Sequence, residues 1–110
     1  MASDDWTKAE KLHARKLFDI AVKEELAEIM ANYKARVAKI ETLDQMWAMS
    51  EYLNRKAKYI DDKYVFRYSG LDLLFVRLVN EKRVSLEQLQ GIRQENWERI
   101  SSFVENVLEK

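Results

Sequence analysis

An all-α fold is predicted by three features of this 110-residue chain. It has no proline and only two glycines, Gly70 and Gly91; its apolar residues recur every three or four positions; and three helix-start signals divide it. Sheet-containing folds need glycine and proline at their tight turns, so a chain nearly free of both has little to build them with. A length of 110 residues supports one core, and a single domain spanning residues 1–110 is expected.

Each start signal is an alcohol followed three residues later by Glu or Gln, a pair that reciprocally satisfies the orphan amides of a first helical turn. Thr7 with Glu10 opens the first helix. Behind it Phe18, Val22, Leu26, Ile29, Tyr33, Val37 and Ile40 form one stripe, and Leu17, Ala21, Ala27 and Met30 form a second beside it. Helical from Lys8 to Glu41, this element would be roughly 50 Å long, and an apolar arc that broad wants neighbours on more than one side. Self-association is one way to supply them.

Thr42 with Gln45 opens the second helix, whose stripe runs through Leu43, Met46, Trp47, Ser50, Leu53, Ala57, Ile60 and Tyr64. A bend or break is expected at Ser69-Gly70, where helix propensity falls. Leu71, Leu74, Phe75 and Leu78 then resume the period, and Glu81-Lys82-Arg83 closes that helix with basic groups near its carboxyl end. Ser85 with Gln88 starts the last element, reinforced by Val84 and Leu89 at the positions of a hydrophobic staple. That element carries Leu89, Ile92, Trp97, Ile100, Phe103, Val104, Val107 and Leu108. Gly91 either admits another backbone or merely weakens its turn.

Composition narrows the function classes. Nineteen basic and nineteen acidic residues cancel, which argues against nucleic acid, a ligand usually met by a basic domain or stripe. With no cysteine there is no disulfide, thiolate nucleophile or sulfur-ligated metal. The acidic opening Met1-Ala-Ser-Asp-Asp-Trp6 has neither the basic flank nor the apolar run of an export signal, and no apolar run approaches the ~20 residues of a membrane span. A cytoplasmic location without membrane insertion is expected.

Catalytic chemistry finds no foothold. The single histidine, His13, has Glu10, Lys16 and Leu17 at helical reach, and reads as a solvated or partly packed surface side chain. Asp61 and Asp62 are adjacent, so on a helix they point apart and do not form a facing pair. No phosphate loop, nucleophile elbow or redox pair occurs. Catalytic residues, metal and cofactor are all expected to be none.

What remains is a surface. Trp47 lies between Met46 and Met49, with Glu51 one turn on and Arg55 a further turn. Core is the leading reading for part of this cluster; an apolar anchor with orienting polar neighbours, the recipe of an interface, is its rival. Tyr59, Tyr64 and Tyr68 read as caps on a core with their hydroxyls in water.

The segments Asp44-Gln-Met-Trp-Ala-Met-Ser-Glu-Tyr-Leu53 and Ile60-Asp-Asp-Lys-Tyr-Val-Phe-Arg-Tyr-Ser69, followed by Leu71, Phe75 and Leu78, resemble the fluorescence recovery protein family. That family reads Leu-Trp-x-x-His-Asp-Phe-Leu, then Ile-Asp-Gly-Lys-Tyr-Asp-Tyr-Arg-Tyr-Ser, before an apolar helix. The likeness covers roughly residues 40–80. It implies two long helices with a smaller helical head and a homodimer, or a higher oligomer, formed through the long helices. It also implies a non-catalytic regulator that binds the photoactivated orange carotenoid protein at its carboxyl-terminal domain, speeds its return to the resting form and so ends antenna quenching.

Carried over by position, the resemblance places Met46 and Trp47 at the dimer seam and Trp47, Ser50, Glu51, Leu73 and Arg99 on surfaces that meet the partner. Ser50 stands where the family has His, Ala57 where it has Arg, Asp62 where it has Gly, and Gly70-Leu71-Asp72 interrupts an otherwise apolar segment. Arg55 and Lys56 lie near enough to supply a compensating basic group. The alternative these departures raise is a helical dimer of the same fold serving as adaptor for an unrelated cytoplasmic protein.

Overall fold

The computed structural model describes residues 6–91, 97, 98 and 100–102, and among them there is no strand. Helix α1 spans Lys8–Val37, α2 Leu43–Lys63 and α3 Leu71–Asn80; a 3₁₀ turn covers Gln88–Gly91, and residues 97, 98 and 100–102 are again helical. All three predicted capping exchanges are formed, but only the first two open an α-helix; behind Ser85 the chain makes a turn and then the 3₁₀ turn Gln88–Gly91, and Ile92, Phe103, Val104, Val107 and Leu108 of the expected last helix lie outside the described residues. The Thr7 amide donates to Glu10 Oε1 at 3.0 Å while the Glu10 amide donates to Thr7 Oγ1 at 3.2 Å. Thr42 with Gln45 and Ser85 with Gln88 repeat this exchange.

Two ends differ from expectation. Helix α1 stops at Val37 rather than Glu41, because the amides of Lys39 and Ile40 tighten onto the carbonyls of Arg36 and Val37 and lead the chain to the Thr42 cap. Its 30 residues make a rod of roughly 45 Å. Helix α2 ends at Lys63, several residues before Ser69-Gly70. Beyond Tyr64 the side chains alternate: Phe66 and Tyr68 are half-buried, Val65 and Arg67 exposed. That is the period of an extended segment, and a helix would have turned the two aromatics to different sides.

The chain divides into two compact units, residues 22–64 and the remainder. The remainder holds most of the core. Leu71, Leu74, Phe75 and Leu78 bury the predicted face of α3, joined by Leu17, Phe18, Val84, Leu89 and Ile100. Phe66 stands edge-on to Phe18 at 5.1 Å and to Tyr68 at 5.3 Å, and Tyr68 in turn meets Trp6 at 6.0 Å. Edge-to-face rings add about 1 kcal/mol per pair beyond their buried area. Helix α3 ends in a Schellman turn, with the Arg83 amide on the Leu78 carbonyl and the Lys82 amide on that of Val79.

The role of Gly91 lies here. A Cβ at this position would come within 2.5 Å of the His13 ring. His13 Nε2 donates to the Gln88 carbonyl, so the missing side chain makes room for an imidazole that ties α1 to the 3₁₀ turn. The one histidine is a half-buried strut, and what approaches Gly91 is a ring rather than a backbone. Gly91→Ala is expected to cost about 1–2 kcal/mol, since the ring must move and leave a carbonyl unpaired. Adding His13→Ala should bring a markedly less than additive loss, measured as a double-mutant cycle in urea unfolding.

Candidate functional site

The unit of residues 22–64 is a helical hairpin, and its interior is largely polar. Glu25, Lys63 and Tyr52 are its buried described residues. The Lys63 ammonium, its side chain 1% exposed, lies 2.7 Å from Glu25 Oε1, and the Tyr64 hydroxyl donates to the same oxygen at 2.7 Å. Lys63 also reaches the Tyr59 hydroxyl at 3.3 Å and lies over the Tyr59 and Tyr64 rings. Further along, Arg36 stands 4.6 Å over the Tyr52 ring and Lys56 is shared between Tyr52 and Tyr59. The hydroxyls of Tyr59 and Tyr64 are thus bound within the hairpin, where the sequence reading had placed them in water.

Because charge and rings fasten the hairpin, its apolar stripes remain outside. Trp47 is 60% exposed and Met46 48% exposed, so the core reading fails for these two, while Met49 is half-buried. Leu43 and Leu53 on α2 are exposed too, as are Leu26, Met30 and Val37 on α1. In the hairpin a groove of about 390 Å³ is lined by Leu26, Ile29, Leu53, Ala57 and Ile60, with Lys56 and Asp61. Ser50 and Glu51 are exposed, and helical spacing sets both one turn from Trp47. An aromatic anchor flanked by apolar and hydrogen-bonding groups is the chemistry of a protein interface.

Among the other residues singled out from the sequence, Leu73 is 66% exposed on α3, and Arg99 lies outside the described residues. Sequence reasoning missed Glu25 altogether and noted Lys63 as a member of the motif Ile60 to Ser69, without a partner for its charge. Thirty-eight positions separate the two, and no local spacing announces such a pair. The one available hint was the alternation Tyr64, Phe66, Tyr68, which marks where the helix gives way.

A sequence profile of the family described as photoprotection regulator fluorescence recovery protein matches residues 6–104. The fluorescence recovery protein of Synechocystis sp. (strain ATCC 27184 / PCC 6803 / Kazusa) is 30% identical over 102 residues, 93% of this chain and 94% of its own. The solved structure of the fluorescence recovery protein from Synechocystis sp. PCC 6803 superposes with a TM-score of 0.82 at 29% identity, over 91% of this chain and 98% of its own. That from Fremyella diplosiphon gives 0.81 at 26% identity with the same coverage, 91% and 98%. No helix among the described residues is long and apolar enough to cross a membrane.

The buried pair makes a direct prediction. Removing Lys63 takes the neutralising charge away from a buried carboxylate, so Lys63→Met is expected to cost about 3 kcal/mol. Exchanging both partners for apolar side chains, as Glu25→Leu with Lys63→Met, should recover much of that loss, because no buried charge is then left without its counter-charge. Urea midpoints followed by circular dichroism read both values.

Proposed function

The chain belongs to the fluorescence recovery protein family of photoprotection regulators, and from that premise we propose that it works as a homodimer that binds the photoactivated orange carotenoid protein and hastens its return to the resting form. The observation that carries the dimer is the hairpin's exposed apolar face around Met46 and Trp47. A second copy of the same face is self-complementary by symmetry, so each Trp47 buried counts twice. The carotenoid-protein partner is supported by the family membership and by the motif residues Ile60 to Ser69.

The action is conformational. A regulator accelerates relaxation when it binds a compact or intermediate state of its partner better than the open one, so that its binding energy lowers the barrier between them. Surface groups suffice for this, and no bond need be made or broken. Trp47, Ser50 and Glu51 supply an apolar anchor with hydrogen-bonding neighbours, and Leu73, exposed on α3, is the head residue proposed to meet the partner's carboxyl-terminal domain. Ser50 and Ala57 favour a second reading, an adaptor for an unrelated protein, because the family's His and Arg are absent from these positions.

The dark recovery rate of the photoactivated orange carotenoid protein, followed by absorbance with and without this chain, separates the readings. Acceleration with co-elution is expected. Co-elution without acceleration would limit the chain to docking, and neither effect would turn the search to the adaptor reading. For the seam, Trp47→Ala should cost about 2 kcal/mol per copy, hence weaken the dimer roughly 1000-fold in sedimentation equilibrium. Met46→Glu should do at least as much by placing like charges at the seam.

A further inference from the structure

We propose that the solvent face of the first half of α1 is a docking surface for an extended, acidic segment of a partner protein with the pattern acidic-x-apolar-x-acidic. None of its residues belongs to the seam of Met46 and Trp47, and the proposal stands independently of the function argued above. Between Lys8 and Ile20 the chain carries four cations, Lys8, Lys11, Arg15 and Lys16, against two carboxylates, Glu10 and Asp19, the second of which pairs with Arg15 at 3.2 Å. Glu10 is buried and turned back onto the Thr7 amide, which leaves Lys8, Lys11 and Lys16 in excess on this face. The face is therefore basic, in a chain whose net charge is zero.

Apolar surface lies among these charges. Lys8, Leu12, Lys16 and Ile20 follow one another at four-residue spacing along one edge of the helix, and all four are exposed, Leu12 by 66%. The flanking cations are held in place. Lys11 sits 5.0 Å over the Tyr68 ring, and the Arg15 guanidinium is 4.8 Å over Phe66 and 5.2 Å over Phe18 while bonding Asp19 at 3.2 Å.

Helix energetics run against this arrangement. The amino end of a helix is its positive end, where Lys8 and Lys11 are each unfavourable by some tenths of a kcal/mol. An exposed leucine adds nothing to the fold either. Local rules broken without a gain in stability are the pattern expected of a functional surface.

The register identifies the occupant. Along the helix edge, residues four apart are spaced about 6 Å, so Lys8, Leu12 and Lys16 stand at roughly 0, 6 and 12 Å. In an extended chain, alternate side chains on one face are about 6.6 Å apart. A carboxylate, an apolar side chain and a second carboxylate at alternate positions thus face Lys8, Leu12 and Lys16 in turn. Phosphodiester backbones and lipid headgroups offer the charges without an apolar group set between them at that spacing.

Amide NMR of the full chain titrated with a peptide containing Glu-Ser-Leu-Ser-Glu tests this. Shifts clustered on residues 8–20 are expected, with affinity lowered at least ~10-fold by Lys8→Glu combined with Lys16→Glu, and lowered again by Leu12→Gln. The reversal variant should keep its helix in circular dichroism, since an acidic residue suits that end of α1. A scrambled Glu-Leu-Ser-Ser-Glu peptide should bind more weakly. Unchanged affinity in the variants, equal affinity for the scrambled peptide, or no response at all would overturn the proposal. So would a response on these residues to phosphatidylserine vesicles or duplex DNA but not to the peptide.

Discussion

In the hairpin, the Glu25 carboxylate receives the Lys63 ammonium and the Tyr64 hydroxyl on one oxygen, each at 2.7 Å. This cluster fixes the carboxyl end of α2 on α1, and Arg36 against Tyr52 fixes the helices again nearer the other end. Such contacts set register well but add little net stability, because desolvating a buried ion pair offsets most of its attraction. Ordering a helix costs more than 1 kcal/mol per residue in backbone entropy, and that is ordinarily met by burying apolar area. The hairpin buries little of its own. Its apolar residues, Leu26, Met30, Leu43, Met46 and Trp47, face outward instead. The proposed association of two copies follows from this division of labour, with polar groups giving the hairpin its shape and a second chain supplying the missing core.

The family motif has a physical reading in the same terms. Lys63 and Tyr64 close the hairpin, and directly afterwards the chain passes into the second unit, within which Phe66 engages Phe18 and Tyr68 engages Trp6. A ten-residue string with aromatics at alternate positions serves both ends because the chain leaves helical geometry between them. This explains how Val65 tolerates exposure while Phe66 does not. Ser50 and Ala57 lie outside these contacts and are exposed, Ala57 along the hairpin groove.

Much of the fold was legible because it rests on local chemistry. The three capping exchanges, at Thr7, Thr42 and Ser85, and the buried face of α3 could be named from spacing alone. Periodicity also showed that α2 carries an apolar stripe, but it carries no information about what covers that stripe. Core was therefore the leading reading for part of the Trp47 cluster, although its own chain leaves Met46 and Trp47 exposed. The Glu25 and Lys63 pair and the His13 approach to Gly91 join distant positions, and each needs the fold before it can be seen. Leu12 and the cations around it were readable as residues and unreadable as a face until Glu10 was seen turned inward.

The dependence of the hairpin on a second copy is tested most directly by amide hydrogen exchange across a dilution series. If association supplies the missing core, protection of α2, Leu43–Lys63, should fall with protein concentration while that of α3, Leu71–Asn80, holds, since α3 is packed within its own unit. Protection of α2 that stays constant down to concentrations at which sedimentation shows only monomer would contradict the account.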